Sequence, residues 1–291
     1  MTTLSVALAL LAALGNAAAS VLQRRAAARE RDLPDEARWS WLRRLVHRPV
    51  WLWGLGALLV SGLCQAAALA TGPLAVVQPV MTTELLFTLV IGAAVFRVRP
   101  DHRTRWAFLA LAAGLAAFLA LTGPSGGLAT VPGTRWLWTG VSAGAAVALL
   151  MAVGKALGPA PRAAVFGTAT AIGFSCTAAL VKDTTGRLAQ GLTTAVTSWQ
   201  PYAALAVGLG SFLLLQLTLR AGTLVASQPA LTLGDAFLSV VLGVLLFDEQ
   251  VELGTRIIPE LTALAVLVAA SVYLAGSPLI SGRGGKEESS W

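Results

Sequence analysis

Apolar runs long enough to cross a lipid bilayer recur along nearly all of this 291-residue chain. A helical span needs about 20 such residues, so little sequence is left for anything but spans and short loops. Only 12% of the residues are charged and 56% are hydrophobic, whereas soluble domains carry roughly 25% charged residues. Inside lipid the backbone must satisfy its own polar groups, which leaves helices or closed barrels. The runs are continuous rather than alternating, and that excludes a barrel. The expected fold class is an all-α polytopic membrane protein. A net charge of +7 would point to nucleic acid in a soluble protein. Here the basic residues sit in loops beside the runs, where they set topology and meet anionic lipid. The bilayer is therefore the expected partner, and nucleic acid is not.

Nine spans are predicted, at approximately 4–22, 50–71, 73–96, 106–122, 136–157, 163–182, 200–220, 222–247 and 259–277. No Lys or Arg precedes the first, and Arg24 and Arg25 follow it directly. A secretory signal has its charge in front, so this segment reads as a helix with its N-terminus outside. The nine-span count puts seventeen Lys and Arg residues on one side and four, Arg135, Lys182, Arg187 and Arg256, on the other. Basic loops stay cytoplasmic. The expected location is the cell membrane, multi-pass, with the N-terminus outside and the C-terminus inside. Trp51, Trp53 and Trp106 fall at the inner interface, and Trp136, Trp138 and Trp199 at the outer one. Residues 35–48 place Trp39, Leu42 and Leu45 on one helical face with arginines mostly opposite, which fits an amphipathic helix on the cytoplasmic surface. Residues 278–291 form a polar tail.

One segment occurs twice. Residues 71–83 read TGPLAVVQPVMTT and residues 221–233 read AGTLVASQPALTL. A shift of 150 positions lays Gly72 on Gly222, Leu74 on Leu224, Gln78 on Gln228, Pro79 on Pro229 and Thr82 on Thr232, and Ser61 on Ser211 just upstream. Gly15, Leu22 and Arg24 correspond more weakly to Gly173, Leu180 and Lys182. Spans 1–4 (residues 1–122) thus pair with spans 6–9 (163–277), and the span at 136–157 links them. Four helices return the chain to its starting side, and one linker helix inverts the second four. The layout expected is a 4+1+4 inverted repeat, which supports alternating access about a cavity near the bilayer midplane.

These residues also carry a family likeness. A helix with an internal Gln, a Gly turn, and a helix opened by small residues and Pro resemble the drug/metabolite transporter superfamily. LLFDE at 245–249 looks like the apolar-run-then-Glu ending of that superfamily's penultimate helix. The resemblance covers about 45–122 and 163–277. Each half resembles a four-helix subunit of the small multidrug resistance family, which works as an antiparallel pair. Ten spans are the commoner form of the superfamily. A nine-span chain is also similar to the NIPA-type magnesium transporters. The small multidrug proteins carry an essential Glu in their first helix. At that depth this chain has Asn16 and neutral residues around Gly173, so that role has no position here to fall on.

Ionisable residues inside spans are costly and mark functional positions. Two acids lie deep, Glu84 and Asp235. Gln228, Thr232 and Asp235 are spaced to share a helical face. Gln78 and Thr82 share the matching face in the first copy, but Glu84 is one residue out of register. On an ideal helix it points about 100° away, so Asp235 is the preferred coupling carboxyl. Structural hydrogen bonding to a neighbouring helix is the alternative for both. Pro79 and Pro229 each free a carbonyl one turn earlier, either to bind substrate or ion or simply to kink the helix. Asn16, Ser20 and Gln23 form a polar stripe in the first span, facing either the cavity or another helix. Gln65 and Gln216 add neutral hydrogen-bonding groups. Gly140 and Gly144 form a GxxxG pair suited to close packing, by default within the protomer. Lys155 and Lys182 lie near span ends and are expected to snorkel. Cys64 and Cys176 read as small buried residues, and no Cys/His cluster has zinc spacing.

No nucleophile–base pair, metal set or nucleotide motif stands out, so the chain is not expected to be an enzyme or to hold a cofactor or resident metal. The expected function is secondary transport of a small organic solute or drug, coupled to an ion gradient. Alternatives are transport of magnesium or another divalent cation, and a non-transporting scaffold or accessory subunit. The expected partner besides lipid is that small-molecule or cation substrate, bound by a monomer or homodimer.

Overall fold

The computed structural model describes residues 2–30, 49–96, 102–221 and 224–251, together with 259, 262, 263, 265, 266, 269, 270 and 273. The segment 35–48, most of the span at 259–277 and the tail 278–291 lie outside the described residues. So do the side chains of Gln228 and Pro229.

Among the described residues, ten helices follow in chain order: α1 (Thr2–Glu30), α2 (Pro49–Thr71), α3 (Leu74–Met81), α4 (Glu84–Phe96), α5 (His102–Thr122), α6 (Gly133–Lys155), α7 (Pro159–Gln190), α8 (Leu192–Thr197), α9 (Gln200–Ala221) and α10 (Leu224–Phe247). Among the described residues there is no strand, only an isolated bridge between Ser125 and Gln250. Among the described residues, seven helical stretches are long and apolar enough to cross a membrane: Thr3–Gln23, Pro49–Thr71, Leu74–Val95, Gly133–Lys155, Pro161–Gln190, Gln200–Thr218 and Ala230–Phe247. The protein is a multi-pass helical membrane protein.

Small residues set the helix approaches. A Cβ on Gly15 of α1 would lie 2.9 Å from Ser61 Cβ of α2. A Cβ on Gly173 of α7 would strike the hydroxyl of Ser211 on α9. Gly234 of α10 sits over Ala171 of α7, where an added Cβ would meet Ala171 Cβ at 3.0 Å. Helices this close gain from van der Waals packing, the main attraction available when lipid is as apolar as the side chains. The main core joins Ala9, Ala12 and Ala13 of α1 to Leu74, Val77 and Val80 of α3, Ala179 and Leu180 of α7, and Leu246 and Phe247 of α10.

The third apolar run is not one helix. It breaks after Met81 and resumes at Glu84. Pro79 has no N–H to give Ala75, and the chain tightens instead of continuing. Thr82 N bonds Pro79 O at 3.1 Å and Thr83 N bonds Val80 O at 3.0 Å, both three residues back. The threonine hydroxyls give a second bond to those same carbonyls, at 2.7 and 2.8 Å. The ideal-helix direction expected for Glu84 therefore does not apply.

Four other expectations need correction. Lys182 does not snorkel: it is buried, because α7 runs on for two turns beyond it to Gln190. Trp136 is buried rather than interfacial and packs edge-on against Trp199, with ring centroids 5.8 Å apart. Gly140 and Gly144 have nothing within 4 Å of an added Cβ, so this GxxxG pair packs against no described part of the protomer. Gln216 also lies on the exposed side of α9.

Candidate functional site

Glu84 and Asp235 sit near the middles of their apolar stretches, Leu74–Val95 and the helix α10. The break at Thr82–Thr83 makes Glu84 the first residue of α4 and turns it inward. Asn16 Nδ2 of α1 donates to Glu84 Oε2 at 3.2 Å. Ser61 Oγ of α2, 2.8 Å from Asn16 Oδ1 and 2.7 Å from Ala12 O, fixes which way that amide faces. A chain of three polar side chains from three helices thus ends on the Glu84 carboxyl.

Asp235 comes from the other half of the sequence. It lies within electrostatic reach of Glu84, with the hydroxyls of Ser175 on α7 and Ser239 on α10 beside it. Asp235 Oδ1 and Ser239 Oγ are nonetheless buried with no partner in hydrogen-bond geometry among the described residues. A buried polar atom without a bond is costly and uncommon enough to suggest a place kept for something else. Thr232, on the same helix, is half-buried, and Gln78 and Pro79 are buried in α3. The expected polar centre thus brings Asn16, Glu84 and Asp235 into one neighbourhood. Its Gln228 and Pro229 members cannot be placed beyond their positions in α10. No group of three or more His, Cys, Asp or Glu residues capable of holding a metal occurs among the described residues.

A second polar cluster, not expected from the sequence, lies at one end of the bundle. Helix α10 stops at Phe247. Asp248 takes a left-handed conformation (φ 53°), and Glu249 N bonds back to Gly243 O at 3.1 Å. That reversal is a helix-ending device, and it throws the Glu249 side chain into the interior. Its carboxylate accepts from Leu74 N at 2.6 Å and Ala75 N at 2.8 Å, the first two donors of α3. Pro73, at the N-cap of α3, offers no side-chain cap of its own, so Glu249 supplies it from 175 residues away in sequence. An acid at a helix N-terminus also meets the favourable end of the dipole. Lys182 Nζ of α7 completes the set, 2.7 Å from Glu249 Oε1, 3.0 Å from Gly72 O and 5.0 Å from the Phe247 ring centre.

The neighbouring residue, Asp183, is fully buried. It accepts from Trp136 Nε1 at 2.7 Å and Val131 N at 3.3 Å, and pairs with Arg187 at 3.3 Å. Beside this cluster a cavity of about 370 Å³ lies between the end of α2, the 125–129 loop and Lys182. A Lys-Asp pair inside a long apolar run, with a Glu ending another run, was the available signal. Nothing in the sequence showed that they meet.

The arrangement defines a helical membrane protein with two interior carboxyls within electrostatic reach of each other and a buried ion pair at one end. The chain is similar to an uncharacterized protein of Corynebacterium glutamicum, 27% identical over 250 residues, which covers 85% of this chain and 86% of that protein. No family model and no solved structure matches it.

Proposed function

We propose that this protein is a secondary-active transporter of a small organic solute or drug, coupled to an ion gradient and working by alternating access. The observation that carries the proposal is that Glu84 and Asp235, from the two halves of the sequence, lie near mid-span within electrostatic reach of each other. Two acids of like charge in the interior form a place where a proton or cation is held and exchanged. Around them are mostly neutral hydrogen-bonding groups, Asn16, Ser61 and Ser175, which suit an uncharged or amphipathic solute.

A nine-span 4+1+4 inverted repeat is the architecture proposed for this activity. It is supported by the matched segments around Gln78 and Gln228 and by the parallel packing of Gly15 on Ser61 and Gly173 on Ser211. The drug/metabolite transporter superfamily is the kinship proposed with it. The charge bias puts the 123–132 loop outside and both the 35–48 segment and the C-terminus in the cytoplasm.

The carboxyl pair also favours a second reading, transport of magnesium or another divalent cation, since magnesium binds through one or two carboxylates and retained waters. A solute and cation screen in proteoliposomes with imposed proton gradients tests both. Proton-driven solute uptake supports the first reading. Magnesium flux without proton coupling supports the second. No flux of either kind in the wild-type protein refutes both.

A further inference from the structure

Three features lie outside the central carboxyls: a small-residue stripe on α6, the cavity beside Lys182, and the buried ion pair at the end of the bundle. The stripe has nothing to show what covers it. The cavity shares its only charged wall with the ion pair, and it is there that the observations converge.

Glu249 and Lys182 tie together three helices, α3, α7 and α10, and nothing in helix packing alone requires it. Burying two charges has a desolvation cost that a well-packed apolar pair would not incur. The chain also keeps space for them. A Cβ on Gly243 would land on Glu249 Oε2, and one on Gly127 would come within 2.8 Å of Glu249 Cγ. Gly127 itself sits at φ +106°, a conformation side chains rarely adopt. So the loop, α10 and α7 form a close-fitting seat for one carboxylate.

What that carboxylate holds is the start of α3. All eight residues of α3 are buried, and the helix is about 12 Å long. Its far end is the Thr82–Thr83 break, and the next residue is Glu84. A short buried helix thus runs from the ion pair to the turn that precedes an interior carboxyl.

We propose that Lys182–Glu249 is a latch that closes the loop end of the protein, and that α3 carries its release to Glu84. The proposal rests on the transport reading and adds the device that governs access to its site. In the latched form, shown here, Lys182 lines the cavity and holds the Glu249 carboxylate. Release frees Leu74 and Ala75, lets α3 tilt and opens a path beside Lys182.

The test uses the full chain in lipid, with Cys64 and Cys176 replaced by Ala. Spin labels at the exposed positions Ala70 and Leu245 report the distance across the latch. Glu249→Gln should add a longer-distance population. Gly243→Ala, which displaces the carboxylate while keeping its charge, should act like Glu249→Gln. In a parallel series, a cysteine replacing buried Thr83 should react with a thiol reagent about tenfold faster in the Glu249→Gln background. Unchanged label distances in Glu249→Gln and Gly243→Ala would overturn the latch. Lengthened distances with unchanged Thr83→Cys reactivity would overturn its link to Glu84. Failure of both variants to fold would make the pair purely structural and also overturn the proposal. Neither readout involves a substrate, so absence of uptake with both readouts as expected refutes the transport reading and leaves the latch standing.

Discussion

Glu249 and Asp183 at one end of the bundle, and Glu84 and Asp235 at its middle, are all acids on apolar helices, yet their surroundings differ. Glu249 has two backbone donors and a lysine. Asp183 has an indole, a backbone donor and an arginine. Glu84 has one amide, and Asp235 keeps a buried oxygen unbonded among the described residues. A fully partnered buried acid holds a structure together. An under-partnered pair of acids is poorly explained by stability and is better placed to exchange a ligand.

Crossed substitutions are the strongest way to break this contrast. Asp183→Ala strips Trp136, Val131 and Arg187 of one partner, and loss of a buried pair member costs about 3–5 kcal/mol. The variant should lose most of its thermal stability in detergent. Asp235→Asn should change stability by less than about 1 kcal/mol, because the amide keeps the shape of the carboxyl and can still bond the neighbouring hydroxyls, but should abolish gradient-driven uptake. A marked fall in melting temperature for Asp235→Asn would place that residue with the structural acids.

Glu84→Gln sharpens the comparison inside the central pair. Read as one ideal helix, the third run turns Glu84 away from Gln78 and makes it the lesser acid. The break at Thr82–Thr83 and the bond from Asn16 bring it towards Asp235. The expected result is therefore a loss of uptake of tenfold or more, corresponding to at least about 1.4 kcal/mol. A variant that transports nearly as well as wild type would restore the unbroken-helix view.

The same two regions show how far the sequence could be read. Apolar runs placed five of the seven spanning stretches to within a few residues, because in lipid length and hydropathy dictate the helix almost alone. The stretch predicted at 163–182 runs on to Gln190, and the one predicted at 222–247 is apolar enough to span only from Ala230. Depth within those runs singled out Glu84 and Asp235, and polar spacing singled out Asn16. The direction of Glu84 was not legible. Pro79 announces that a hydrogen bond is lost but not that the chain tightens at Thr82 and Thr83. The Lys182–Glu249 pair was missed for another reason. Lys182 lies near the end of an apolar run, where snorkelling is the ordinary outcome. Only the continuation of α7 to Gln190 and the left-handed turn at Asp248 bring Lys182 and Glu249 together. Both are tertiary events that no local pattern specifies.

The smallest expected effect concerns a pair of residues that the repeat treats as equals. Ser61 and Ser211 stand 150 positions apart, each against a glycine of the preceding repeat helix. Their hydroxyls do different things. Ser61 Oγ crosses to α1, bonding Ala12 O and Asn16, whereas Ser211 Oγ returns to Val207 O one turn back in its own helix. A bond between helices contributes to their association, roughly 0.6 kcal/mol on average and up to about 1.7 in membranes. A bond back to the same helix adds little, since that carbonyl already has a helical partner. Ser61→Ala should therefore lower thermal stability by about 1 kcal/mol, and uptake should fall modestly because Asn16 loses the contact that orients it towards Glu84. Ser211→Ala should leave both unchanged. Equal losses for the two variants would mean that the serines serve only as small residues against Gly15 and Gly173. The polar chain leading to Glu84 would then have no energetic weight of its own.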